Sequence, residues 1–98
     1  MGWASHYIEQ LANGEIIQCR PGGNSMSGII ESGQLCTIIP IKDELKVGDI
    51  VLCKVKGRQY LHLIKAINGN RYQIGNNRGG INGWTSRKSI FGLFISAQ

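Results

Sequence analysis

Ile50-Val51-Leu52-Cys53-Lys54-Val55-Lys56-Gly57-Arg58-Gln59-Tyr60-Leu61-His62-Leu63-Ile64-Lys65-Ala66-Ile67 is the stretch that decides the fold. Two apolar runs flank a tight turn at Gly57-Arg58, which predicts successive strands over 50–56 and 59–67. In the first run Ile50, Leu52 and Lys54 alternate with Val51, Cys53 and Val55, so this strand is buried on at least one face. In the second, His62 shares a face with Tyr60, Ile64 and Ala66, while Lys65 falls on the other. Taken alone, His62 reads as a partly buried strand histidine and Lys65 as a solvated surface residue.

Working outward, Asn68-Gly69 is the strongest hairpin signal in the chain, and residues 71–74 pair back after it. The polar stretch Gly75 to Gly83 reads as a long loop, and Ile90 to Ser96 as a closing strand. Upstream, Leu45 to Asp49 forms a turn, and Leu35 to Ile41 is a β-branched run with Pro40 marking an edge or exit. Glu15 to Arg20 is a short extended run before the dense turn signal Pro21-Gly22-Gly23-Asn24. Only the first residues depart from this rhythm. Trp3, Tyr7, Ile8 and Leu11 have helical spacing, with Ser5 as a cap and Asn13-Gly14 as a stop. The expected fold is mainly β: one compact, mostly antiparallel domain over 1–98, with a short N-terminal helix within 1–14.

Composition bounds the function. Ninety-eight residues leave room for one small core, and 42% hydrophobic content excludes a disordered chain. No apolar run approaches the roughly 20 residues of a membrane span, and no basic start precedes an apolar core, so a soluble cytoplasmic protein without membrane contact is expected. Cys19, Cys36 and Cys53 each lie in an apolar run without C-x-x-C spacing, as reduced core thiols do, and neither a metal nor a cofactor is expected. Charge is divided unevenly. Residues 1–49 hold all six acids and three of the eleven bases, and residues 50–98 hold the other eight bases and no acid. Two-carboxylate chemistry is therefore confined to the first half.

Ser25 stands in the Gly-rich turn, where a hydroxyl can sit beside free backbone N–H groups; as a nucleophile it needs a base and oxyanion donors. The order Gly23-Asn24-Ser25-Met26, Ser32-Gly33-Gln34-Leu35, a run ending in Pro40, and Val47-Gly48-Asp49-Ile50-Val51 resembles the LexA repressor and signal peptidase superfamily. Tyr60-Leu61-His62-Leu63-Ile64 is similar to the strand that carries that family's general base, with His62 at the base position as in the His-type signal peptidases. Tyr72 to Asn77 and Ile90-Phe91-Gly92 fit its closing segments. The resemblance spans residues 16–96 and rests on the order of about five short motifs.

It implies a coiled, mostly β fold and a Ser-His endopeptidase. Ser25 would be the nucleophile and His62 the general base. The Ser25 N–H would serve the oxyanion, with Gly23, Asn24 and Met26 shaping the oxyanion and substrate-binding loop. A peptide or protein substrate would bind as an added β-strand and present small side chains next to the scissile bond. Asn76 and Asn82 stand where the His-type family has acids. Asn can orient an imidazole by accepting its N–H but cannot stabilise the imidazolium by charge, so a weakened site is implied. Gly28 replaces the Pro expected after Met26, and Leu63 the Arg expected after the base. The family's membrane anchor and DNA-binding domain are not among these residues.

A second reading uses the basic half. Lys54, Lys56, Arg58, Arg71 and Arg78, with Tyr60, Tyr72 and Trp84 interleaved, would make a phosphate-contacting surface for nucleic acid, or a surface for a protein partner. The blander account is a solvated face that maintains solubility. Asn76 to Trp84 is read either as a loop closing over Ser25 and His62, with Asn76 or Asn82 touching the imidazole, or as a connector whose Asn side chains satisfy its own backbone. Oligomeric state is not legible.

Overall fold

Apolar alternation along the chain resolves into one sheet. The computed structural model describes residues 2–98, with seven strands: β1 (Ile17–Cys19), β2 (Cys36–Ile39), β3 (Ile50–Val55), β4 (Arg58–Asn68), β5 (Arg71–Gly75), β6 (Ile81–Ser86) and β7 (Ile90–Ala97). A short helix, α1 (Ser5–Ala12), precedes them. Their order across the sheet is β1-β2-β7-β3-β4-β5-β6, and every neighbouring pair is antiparallel. The last strand in the sequence thus lies between the second and third. The protein is mainly β, as its alternation predicts.

Both hairpin loops are offset by one residue from the turns expected. Val55 pairs with Arg58, so the first loop is Lys56-Gly57. Both residues have positive φ, 50° and 82°, as a type I′ turn requires. Asn68 pairs with Arg71, so the second loop is Gly69-Asn70, with Gly69 at φ 61° in the leading position of a II′-like turn. The larger correction concerns residues 75–83, expected as loop throughout. Ile81 to Ser86 is strand, and the loop is only residues 76–80. The helix begins at Ser5 rather than Trp3. Ser5 does not cap it; Ala4 occupies the N-cap without a side-chain bond, and Ser5 Oγ accepts a 3.0 Å hydrogen bond from Gln59 Nε2.

The two faces of the sheet bury different clusters. On one, α1 covers β1, β2 and alternate residues of β3 and β4, joining Leu11, Ile17, Cys36, Ile38, Ile50, Leu52, Leu61 and Leu63. Gly92 permits this approach, because a Cβ there would lie 2.6 Å from Ile38 Cγ2 and 2.7 Å from Leu11 Cδ1. On the other face Val51, Cys53, Val55, Ile64, Ile74 and Ile90 pack together. Register shifts after Thr37, Leu52, Ile64 and Ile74 bend the strands. The sheet coils until β6 comes back over β3, where Thr85 Oγ1 donates to the Lys54 carbonyl at 2.8 Å.

Candidate active site

Ser25 lies in the segment linking β1 to β2, which is held at two points. Met26, the next residue, is only 5% exposed and packs with Ile30 in the α1-side cluster. Met26's carbonyl accepts from the N–H groups of Ile29 and Ile30 at 3.0 and 2.8 Å, making one helical turn. From the side, the Asn77 N–H donates to the Ser25 carbonyl at 2.8 Å, and Asn77 Nδ2 donates to the Ser27 carbonyl at 2.7 Å. A buried methionine and a clamping asparagine therefore position a half-buried serine. Among the described residues the Ser25 N–H has no hydrogen-bond acceptor. Gly23 and Asn24 are exposed on the approach to it.

His62 comes from the middle of β4, opposite Val51 of β3, and is 7% exposed. Its Nε2 lies 3.0 Å from Ser25 Oγ and its Nδ1 lies 2.7 Å from Asn82 Oδ1. An amide oxygen can only accept, so Nδ1 carries the proton in this contact. Nε2 is then left with a lone pair facing the serine hydroxyl. Burial pushes the His62 pKa below its usual 6.5, and the Asn82 hydrogen bond pulls weakly the other way. The imidazole is neutral at pH 7 and ready to accept a proton. Tyr60 stacks against it at a centroid distance of 4.8 Å and an interplanar angle of 29°, fixing the ring plane.

A cleft of about 450 Å³ opens beside this pair, between the Ser25 segment and the first half of β4. Arg20, Pro21, Gly23, Met26, Ile30 and Glu31 line one side, and Trp3, Gln59, Tyr60 and Leu61 the other. The β4 backbone is open here. β5 pairs with β4 only from Leu63 to Asn68. Ile64 exchanges hydrogen bonds with Gly48 and Asp49 next to β3, so by alternation Gln59 and Leu61 turn their N–H and C=O groups away from β3. The Gln59 carbonyl accepts instead from the Trp3 indole at 3.2 Å. A sheet edge thus runs along the cleft to within one residue of His62, open at Leu61 and covered at the Gln59 carbonyl by the Trp3 indole.

The structure separates the other residues named from the sequence. Asn82 reaches His62, but Asn76 does not. Its Oδ1 accepts from the N–H groups of Arg78 and Gly80 at 2.9 and 2.8 Å and shapes its own loop. Lys65 sits at the register shift in β4, next to Gly75. Lys54, Lys56 and Arg58 gather at the β3–β4 turn, whereas Arg71 is at the opposite end of β4 and Arg78 in the 76–80 loop. Cys19, Cys36 and Cys53 are free and buried, and burial raises the thiols of Cys19 and Cys53 to about 11 and about 12. Among the described residues no three His, Cys, Asp or Glu side chains cluster as metal ligands do, and no helix is long and apolar enough to cross a membrane.

Two positioning residues went unseen in the sequence. Asn77 clamps the Ser25 segment, and Gln59 ties the N-terminal segment to β4, its Oε1 accepting from the Ala4 N–H at 2.6 Å and its Nε2 donating to Ser5 Oγ. No local pattern announces an amide whose partners are fifty or more residues away. Comparison with family models, with curated proteins and with solved structures returned no match.

Proposed function

We propose that the chain is a serine endopeptidase of the Ser-His type, with a fold and site like those of the LexA and signal peptidase superfamily. The observation that carries this reading is the relay Ser25 Oγ, His62 Nε2, His62 Nδ1, Asn82 Oδ1, at 3.0 and 2.7 Å, on the wall of an open cleft. A peptide enters as an added strand along the edge of β4 at Leu61, and where it runs on toward Gln59 it takes the carbonyl now held by the Trp3 indole. His62 Nε2 takes the Ser25 proton as Oγ bonds to the scissile carbonyl carbon. The carbonyl oxygen gathers negative charge and is held by the Ser25 N–H and the loop from Gly23. His62 then passes the proton to the leaving amine as the C–N bond breaks. Water, deprotonated by the same imidazole, hydrolyses the acyl ester and restores Ser25.

Asn82 replaces the usual carboxylate. It fixes the tautomer and ring orientation but leaves the transient imidazolium without a counter-charge, so slow turnover is expected. A fluorophosphonate probe tests the chemistry: the parent protein should label at Ser25, and Ser25→Ala and His62→Ala should not. Equal labelling of parent and Ser25→Ala would remove Ser25 as the nucleophile.

A further inference from the structure

Beyond the cleft at Ser25 and His62 lies a second cavity, and the two share Trp3, Gln59 and Tyr60. The second is lined in addition by Gly2, Ser5, Lys54, Gly57 and Arg58. Their charges differ. In the first, both charged side chains are already engaged: Arg20 Nη1 donates to the Gly33 carbonyl at 2.8 Å, and Glu31 Oε2 accepts from the Gly28 N–H at 2.7 Å. In the second, Lys54 and Arg58 are exposed and no acidic side chain lines the cavity. No acid exists anywhere from residue 50 onward to neutralise them locally. Lys54 of β3 is the register partner of Gln59 and shares its face, while Arg58, next to Gln59 in β4, projects from the other, so the two cations flank the cavity from either side of the hairpin end.

Resting on the peptide-cleft reading above, we propose that Lys54 and Arg58 form a distal subsite that selects substrates with an acidic side chain about four residues from the scissile bond. The spacing follows from the strand. Arg58 precedes His62 by four residues, or roughly 13 Å at strand rise, and a peptide paired along β4 advances at the same pitch. Trp3 bridges the intervening floor, 48% exposed and with its indole N–H held by Gln59. A carboxylate reaching past it meets two cations with no internal competitor.

The test uses Ser25→Ala protein, so that binding is read apart from hydrolysis. The probes are fluorescein-labelled dodecapeptides of Ala and Ser with Glu, or Gln, placed four residues to either side of a central Ala-Ala. At low salt the Glu peptide should bind about tenfold more tightly than the Gln peptide, as two partly exposed charge pairs allow, and the preference should shrink as salt rises. Lys54→Ala with Arg58→Ala should erase the preference, and Lys54→Glu with Arg58→Glu should transfer it to a Lys peptide. Equal binding of Glu and Gln peptides by the Ser25→Ala protein, or a Glu preference that survives the double Ala change, overturns the subsite. A dodecamer of single-stranded DNA that binds Lys54 and Arg58 more tightly than the Glu peptide overturns it in favour of nucleic acid. The two readings fail separately: Glu-selective binding without hydrolysis by the parent protein removes the peptidase alone, and hydrolysis without Glu selectivity removes the subsite alone.

Discussion

At the residue scale, the proposed chemistry depends on one amide. Asn82 Oδ1 holds His62 Nδ1–H at 2.7 Å, so the imidazole has the tautomer a base needs, but nothing offsets the charge it acquires. Asn82→Asp should supply that offset. Hydrolysis of a small-residue peptide at pH 8 should rise by roughly 10²- to 10⁴-fold, the upper figure being what the reverse change costs a Ser-His-Asp protease. The pH profile should move with it. In the parent, burial holds the His62 pKa below 6.5, and since the neutral form is the active base, activity should persist as pH falls through 6.5 and fail only lower. A carboxylate at position 82 favours the protonated ring, so the acid limb should shift upward. An unchanged rate and an unchanged limb would remove Asn82 from the relay.

At the element scale, the β3–β4 hairpin aims both His62 and the Lys54–Arg58 pair, and its loop carries local strain. Lys56 has φ 50°, the one non-glycine among the described residues with positive φ. Left-handed backbone is costly for a residue with a long side chain, and Asn tolerates it best at the first position of a type I′ turn. Lys56→Asn should therefore stabilise the protein by about 0.5–1 kcal/mol and raise Tm by roughly 2–8 °C in a thermal melt; an unchanged or lower Tm would contradict the strain. The same hairpin was plain in the sequence, because alternation and a glycine turn are local signals. So was a serine in a glycine-rich turn, whereas the burial of Met26 beside it was not. β6 was not legible, and the reason is physical. Its large apolar residues, Ile81 and Trp84, are 53% and 39% exposed, while Thr85 is buried and Asn82 is turned toward His62. An edge strand that hides polar groups and shows apolar ones reverses the pattern by which strands are read. Read as loop, residues 76–84 leave Asn76 and Asn82 as equal candidates to touch His62, and only the strand geometry separates Asn82 from Asn76, which serves its own loop.

At the scale of the whole molecule, the radius of gyration of 12.1 Å is close to the roughly 13 Å of a compact chain of this length, and the two halves of the sheet, β1–β2 and β3–β6, are joined by β7. Ser25 belongs to the β1–β2 side and His62 to the β3–β6 side. β7 pairs with both β2 and β3 and lies against α1. Gly92→Val places a branched side chain against Ile38 and Leu11 at that junction. It should cost about 2–3 kcal/mol, lower Tm by roughly 10–20 °C, and reduce probe labelling of Ser25 as the fold loosens. Retention of both parent Tm and parent labelling would show that the junction is not needed.

The position of β7 also sets a clock. A ribosome delivers Ser25 before His62, and residues 90–97, which splice their two sides into one sheet, come after both. Until then the nascent chain holds Ser25 and His62 on separate pieces, each with a bare flank where β7 belongs. Translation order alone leaves the sheet in two halves, one carrying Ser25 and the other His62, until β7 has been made.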